Sequence, residues 1–430
     1  MSLRRNALLW VLVTGILGIL GQWDPALTRW WCLPGALLLA GLAYEAAASG
    51  RCHLRLLFTG PEHWLLGRPH LMRLAFTHSG HARVTIQAAL AAPEGFAAEA
   101  RIETLRLARE PGTAEIRARA RRLGRYAWPV PGIRISGPLG LAWWPKHVAG
   151  ECTVTVIPDV VNRSARVAGD RAGGEQRAHF GGGGAGSEIL QLRDYRHGDP
   201  LRIIDWKASA RRRNLVSREL SEERHLEIMI AIDAGRSSAL AAGEVDRLGL
   251  YVNVAARLAQ RASEFDDAVG ILVFASQPLA MLPPARGAAA VVRIRRMLSA
   301  CRAQQGPSNP TLAAARIRAM SRRRNLVVLL TDLEDTSQEQ LIQAVRLLRP
   351  KHFPFIAGLE NAQIMALPLD PGEEPLAPYR ALAAIEYRHA LSSRVRALRA
   401  LGAAALTARP EHLDQAVFEA YREARLHRRA

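Results

Sequence analysis

Apolar positions fall into three successive patterns along the chain. The first is two nearly unbroken runs, Ala7 to Leu20 and Trp30 to Tyr44. Extended through Trp23 and Ala48, each approaches the roughly 20 residues that span a bilayer. Trp23, Trp30 and Trp31 gather at one end of the pair, Arg4 and Arg5 precede it, Arg51 and Arg55 follow it, and only Asp24 and Arg29 interrupt the connection. Aromatic residues at one interface and arginines at the other predict a transmembrane helical hairpin over residues 1–50, with both ends cytoplasmic. On this reading the chain is anchored in the inner membrane and its large soluble part faces the cytoplasm. No small-residue cleavage pattern follows Leu20, so a signal peptide is disfavoured. A hairpin buried in a protein core is the alternative.

The second pattern has a period of two. Ile116, Ala118 and Ala120 alternate with Arg117, Arg119 and Arg121, and Val84/Ile86, Ile133/Ile135 and Val154/Val156 alternate likewise. Gly60-Pro61, Pro111-Gly112, Pro131-Gly132 and Gly137-Pro138 punctuate these strands. Short strands between such turns predict a β-sandwich over residues 51–159. A linker over 160–186 follows, with Gly181 to Gly184 uninterrupted. It lacks the Gly-Lys-Ser/Thr ending of a phosphate-binding loop and reads as a flexible tether.

The third pattern, over residues 226–430, is short apolar blocks separated by helical stretches. Leu226 to Ile232, Ala268 to Phe274 and Asn325 to Thr331 suit buried parallel strands, with Phe353 to Gly358 and Ala403 to Thr407 as two more. Glu244 to Phe265 sets Leu248, Val252, Ala255 and Leu258 on one helical face. The alternation predicts a doubly wound α/β domain, whose ligands sit at the carboxyl ends of the strands.

Composition adds little. A net charge of +19 would suit nucleic acid or an anionic surface, but the arginines are spread along the whole chain. Nucleic acid and small-molecule substrates are therefore not expected. Cys32, Cys52, Cys152 and Cys301 are isolated, which shows neither a zinc pair nor a disulfide framework.

The strand ends carry the candidate chemistry. Asp233-Ala-Gly235-Arg-Ser237 closes the first block, Thr331-Asp332 closes a later one, and Thr311 lies in a loop between. Asp233, Ser237, Thr311 and Asp332 together offer the oxygen ligands that suit Mg²⁺. Helix capping by the same residue types is the ordinary alternative. This set resembles the metal-ion-dependent adhesion site of von Willebrand factor A domains. That pattern expects a serine where Gly235 stands, so one hydroxyl ligand is missing.

A longer signature precedes it. Glu188, Arg193, Tyr195, Gly198, Asp199, Arg202, Asp205, Trp206, Ser209 and Arg218 follow one another in order within residues 187–225. This segment resembles the hallmark of the domain of unknown function 58 family, which the paired amino-terminal apolar runs and the strand-rich region also fit. The resemblance implies a von Willebrand factor A-like domain and a MoxR-type AAA+ ATPase as partner, and it implies no established enzymatic reaction. Arginines interleaved with acids favour an internal ion-pair network, with Trp206 as an apolar anchor for docking the segment; a partner-recognition surface is the alternative.

Asp194 followed by Asp205-Trp206-Lys207 also matches the spacing of a Mg²⁺-dependent nuclease, in which carboxylates hold the metal and lysine assists the attacking water. Pro200 and Gly198 break the β-hairpin that such a site needs. No Gly-x-Ser-x-Gly elbow, His-Glu-x-x-His helix or dinucleotide fingerprint occurs. The sequence therefore predicts a membrane-anchored protein-binding adaptor, not an enzyme, using a divalent metal or working as a metal-independent scaffold.

Overall fold

The structure, a computed structural model, describes residues 2–20, 22–23, 30–79, 84–107, 111–160, 183–197, 199–221, 225–321, 323–368 and 375–427, with backbone alone at 183–191, 202 and 219–221. The chain divides into two compact units, Met1–Pro158 and Asp159–Ala430.

The first unit opens with β1 (Ser2–Leu3), α1 (Arg5–Leu20) and α2 (Leu33–Arg51). Eleven strands follow among the described residues. They are β2 (His53–Thr59), β3 (His63–Leu65), β4 (Pro69–Ser79), β5 (Val84–Leu90), β6 (Phe96–Ala97), β7 (Arg101–Leu107), β8 (Gly112–Ala120), β9 (Gly124–Ala127), β10 (Gly132–Ser136), β11 (Ala142–Lys146) and β12 (Thr153–Ile157). They form sheets of order β1-β11-β10-β5-β7, β2-β4-β8-β6 and β3-β12-β9. In β8 the period of two buries Ala114, Ile116, Ala118 and Ala120 and leaves Glu115 and Arg117 exposed. Trp64, Phe76 and Ile86 lie fully inside this unit. The indole of Trp64 stacks at 5.3 Å from both Phe96 and Trp128 and donates to the Pro61 carbonyl at 2.8 Å.

The expected transmembrane hairpin is not present: among the described residues no helix is long and apolar enough to cross a membrane. At a rise of 1.5 Å per residue, the 16 residues of α1 reach only about 24 Å, short of a hydrocarbon core of about 30 Å. The second half of α2 turns polar, and its Glu45 is completely buried against β11. The Glu45 carboxylate accepts the backbone N–H groups of Leu141 at 2.9 Å and Ala142 at 3.0 Å, and the Trp144 indole N–H at 3.4 Å. Helix α2 is thus tied to a sheet through a buried charge. The placement in the inner membrane rested on the hairpin and falls with it. Asp24 and Arg29 lie outside the described residues.

In the second unit, β13 (Gly183–Asp194) pairs antiparallel with β14 (Val216–Ser221), and between them a 3₁₀ turn (Leu201–Ile203) leads into α3 (Trp206–Arg212). Strand β13 begins inside the segment expected as a linker, whose residues 161–182 lie outside the described ones. Then come β15 (Glu227–Asp233), the short pair β16 (Ala241–Ala242) and β17 (Val245–Asp246), α4 (Arg247–Glu264), β18 (Ala268–Phe274) and β19 (Pro278–Ala285). The chain continues through α5 (Gly287–Ser299), α6 (Pro310–Met320), β20 (Leu326–Leu330), α7 (Gln338–Leu348), β21 (Phe353–Leu359), α8 (Ala362–Met365), α9 (Ala377–Ala400), β22 (Ala404–Ala408) and α10 (Leu413–His427).

Six of these strands form one sheet of order β19-β18-β15-β20-β21-β22, parallel except for the antiparallel edge strand β19. Strands β18 and β20 are buried along their whole length, as the unbroken apolar blocks require. Helix α4 covers the sheet with Leu248, Val252, Ala255 and Leu258. The chain leaves β15 toward β18 on one side and returns to β20 on the other. A crevice therefore opens at the carboxyl ends of β15 and β20, where doubly wound sheets bind their ligands.

Candidate functional site

Asp233 ends β15 at the mouth of this crevice and is completely buried. One carboxylate oxygen accepts the Gly235 N–H at 2.8 Å and the Ser308 hydroxyl; the other accepts the Thr331 hydroxyl at 2.6 Å. Burial pushes its carboxyl above the usual range, and the three donors oppose that shift. Ser238 donates its hydroxyl to the Asp233 carbonyl at 2.7 Å, and Thr331 lies 3.2 Å from the Thr336 hydroxyl. The carboxylate is thus held from three chain segments.

Asp332 follows β20 and is 2% exposed. One of its oxygens accepts the Glu334 N–H at 2.9 Å. The other meets the guanidinium of Arg247, the first residue of α4, which is 4% exposed. An arginine carries its charge throughout the accessible pH range, so a fixed cation sits inside the crevice. Outside it, Arg236 clasps Asp335 through Nη2 at 2.6 Å and Nε at 3.1 Å, which joins the loops after β15 and β20. That arginine holds the Asp335 carboxyl below its usual range. Burial pushes the Glu334 carboxyl up, against the hydroxyl that Tyr387 donates to it.

The structure brings together Asp233 and Asp332 but not Thr311. Asn309 caps α6 by accepting the Leu312 N–H at 3.0 Å, and Pro310 starts the helix. Thr311 is therefore already inside the first turn, and its hydroxyl donates to the Gln340 carbonyl at 3.0 Å. The hydroxyl that reaches Asp233 from this loop belongs to Ser308, three residues earlier. Ser237 is buried, and its hydroxyl has no hydrogen-bond partner among the described residues.

The position of Gly235 follows from the same contact. A Cβ there would lie 2.2 Å from the Ser308 hydroxyl and 3.1 Å from an Asp233 oxygen. Ser308 thus fills the space that a serine at 235 would need. Gly235→Ser is expected to cost about 1–3 kcal/mol of stability by overpacking, and Gly235→Ser/Ser308→Gly to recover most of it, as read from urea unfolding.

These residues do not fit a Mg²⁺ adhesion site. Asp332 already holds a guanidinium, Thr311 is committed to α7, and Asp233 accepts from Gly235, Ser308 and Thr331. A divalent ion at Asp332 would have to displace, or be repelled by, a buried arginine.

The upstream signature forms a separate network between β13 and β14. Asp199 accepts both Nη groups of Arg193 at 2.7 and 2.8 Å, the Arg196 N–H at 3.0 Å and the Ser217 hydroxyl at 3.1 Å. Asp205 caps α3 by accepting the Ala208 N–H at 3.0 Å and pairs with Arg218 at 3.1 Å. Ser209 donates to the Asp205 carbonyl at 2.7 Å and accepts the Val216 N–H at 2.9 Å. The Tyr195 N–H donates to the Leu215 carbonyl at 2.9 Å. Trp206, expected as a buried anchor, is instead 63% exposed. The side chains of Glu188 and Arg202, and the whole of Gly198, lie outside the described residues.

Arg193 holds the Asp199 carboxyl well below the usual carboxylate range. A lowered folded value contributes stability above the unfolded pKa of about 3.9 and loses it only as pH falls through the folded value. Asp199 is accordingly expected to stay ionised at about pH 3, where an ordinary aspartate is mostly protonated, as read from its carboxyl ¹³C shift.

Asp205 is the extended N-cap of α3, its carboxylate turned back onto the Ala208 N–H, and Lys207 lies within the helix. The acid-x-lysine pair of a nuclease instead lies on one face of a strand.

Fold and site define a doubly wound α/β domain with a buried acid–hydroxyl–arginine cluster at its switch point. Residues 191–357, which span the ion-pair network and most of that cluster, match the model of the family described as "Protein of unknown function DUF58", and this match supports the family. No curated protein matches the chain. Among solved structures, a conserved hypothetical protein BatB from Bacteroides thetaiotaomicron is 17% identical, over 32% of this chain and 68% of that one, with a TM-score of 0.28. Proximal thread matrix protein 1 from the mussel byssus is 14% identical, over 44% and 43%, with a TM-score of 0.28. The CARDB domain of the PF1109 protein from Pyrococcus furiosus, in complex with di-metal ions, is 10% identical, over 25% and 89%, with a TM-score of 0.18. Likenesses this low carry no argument about function.

Proposed function

We propose that the chain is a protein-binding scaffold whose α/β unit is of the von Willebrand factor A type and works without a divalent metal. The observation that carries this reading is the Arg247–Asp332 pair, buried where an adhesion domain of this type would hold its ion. The guanidinium supplies the positive charge the acid cluster needs, and it cannot be stripped by a chelator. Strand order, the antiparallel edge strand and the acids at the switch point support the fold assignment. A binding role suits a site in which Asp233 and Asp332 are already engaged by Gly235, Ser308, Thr331, Glu334 and Arg247.

The resemblance to the DUF58 family makes a MoxR-type AAA+ ATPase the first partner to test. The experiment is a pull-down on the tagged full chain, run once in Mg²⁺ and once in chelator. The same ATPase retained in both runs is the expected result. Loss in chelator would contradict metal independence, and absence from both would contradict this partner.

A further inference from the structure

The network between β13 and β14 braces a surface that is exposed among the described residues of this unit. Asp199 and Asp205 engage Arg193, Arg218, Ser217 and the start of α3, and Ser209 anchors that helix to Val216. What this framework presents outward is apolar: Leu201 is 70% exposed, Trp206 63% and Leu215 46%. No other ring or cation packs on Trp206 among the described residues. A well-ordered support beneath an exposed tryptophan is the arrangement of an interface anchor.

The surface is also cationic. Ser209 fixes the inward face of α3, so Lys207 and Arg211, one turn apart, lie on the opposite face with Trp206 and Ala210 beside them. Arg212 and Arg213 continue the charge, both exposed. None of these four cations pairs with a carboxylate among the described residues. Two like charges at i and i+4 oppose each other unless an acid comes between them.

We infer that this face of α3, with Leu201 and Leu215, binds an acidic amphipathic segment of a protein partner. Carboxylates of the segment pair with Lys207 and Arg211, and its apolar side chains cover Trp206 and the two leucines. Nucleic acid would use the cations and the indole but would leave the leucines uncovered, so the mixed surface favours protein. The inference rests on the scaffold reading above and gives that scaffold one binding face.

The test is selection of a random twelve-residue peptide display library on the full chain, followed by affinity measurement of the selected peptides on Trp206→Ala and Lys207→Glu/Arg211→Glu. All three residues are exposed, and circular dichroism verifies that both variants keep the fold. Peptides rich in Asp or Glu with interspersed Leu, Phe or Trp are expected, weakened about tenfold or more by each variant. Peptides that bind but ignore both variants overturn this surface and leave the scaffold reading intact. A library without binders overturns the surface too, with the pull-down then judging the scaffold alone. Binding of a thymidine 20-mer that the same variants abolish assigns the surface to nucleic acid and overturns the proposal.

Discussion

Asp332→Ala lowers the stability of the α/β unit by about 4 kcal/mol, the largest loss expected from any single change at the site. The substitution takes its hydrogen-bonded carboxylate from an Arg247 guanidinium that is 4% exposed, leaving Glu334 and Asp335 as the acids near it, and it also strips the Glu334 N–H of its acceptor. Breaking a buried pair from one side costs roughly 3–5 kcal/mol, because the remaining charge stays desolvated. The two halves of the pair are not equivalent. Arg247→Ala leaves a carboxylate that can take up a proton, whereas Asp332→Ala leaves a guanidinium that cannot lose one. Asp332→Ala is therefore the more damaging change, and Arg247→Met/Asp332→Leu, which removes both charges, returns much of the loss. Urea unfolding of the three variants tests this order. An Asp332→Ala protein within about 1 kcal/mol of the parent would mean that the pair is not desolvated as described.

Glu45→Ala is the second large effect and falls on the other unit. Its carboxylate is the acceptor for two consecutive backbone donors, Leu141 just before β11 and Ala142 at its start, at 2.9 and 3.0 Å, in a fully buried place. Each buried donor left without a partner costs about 1–3 kcal/mol, so the loss is about 3–4 kcal/mol. The space over Gly137, where a Cβ would lie 2.3 Å from the Glu45 carboxyl carbon, empties as well. Glu45→Gln keeps one acceptor but turns its amide donor toward a second donor, so an intermediate loss is expected. Hydrogen exchange at Leu141 and Ala142 reads the effect directly: protection collapses in Glu45→Ala and survives in part in Glu45→Gln. Unchanged protection in both variants would show that α2 does not hold β11.

The α/β half was the more legible in the sequence. Blocks such as Leu326–Leu330 have one physical use, a strand buried on both faces, and the aspartates after them mark the strand ends. Asp233 and Asp332 were found for that reason. Arg247 was not: it is one of many arginines, and nothing local shows that the start of α4 faces the crevice. Ser308 was missed for Thr311 because the two hydroxyls stand three residues apart in sequence, and the choice depends on where Asn309 and Pro310 start the helix. The amino-terminal runs misled because counting apolar residues gives Glu45 little weight, whereas the strand that satisfies it lies 96 residues away in sequence. Trp206 misled the other way. A large apolar residue within an ion-pair motif reads as an anchor, and only the fold shows that its side chain is 63% exposed among the described residues.

Titration of the purified full chain with Mg²⁺ and with Mn²⁺ by calorimetry, after treatment with chelator, tests the metal-independent site most directly. With Arg247 as the resident cation, neither ion gives saturable heat, and the unfolding midpoint is the same in Mg²⁺ and in chelator. Saturable binding of one ion per chain, lost in Asp233→Ala, would contradict that account and restore a metal to the crevice.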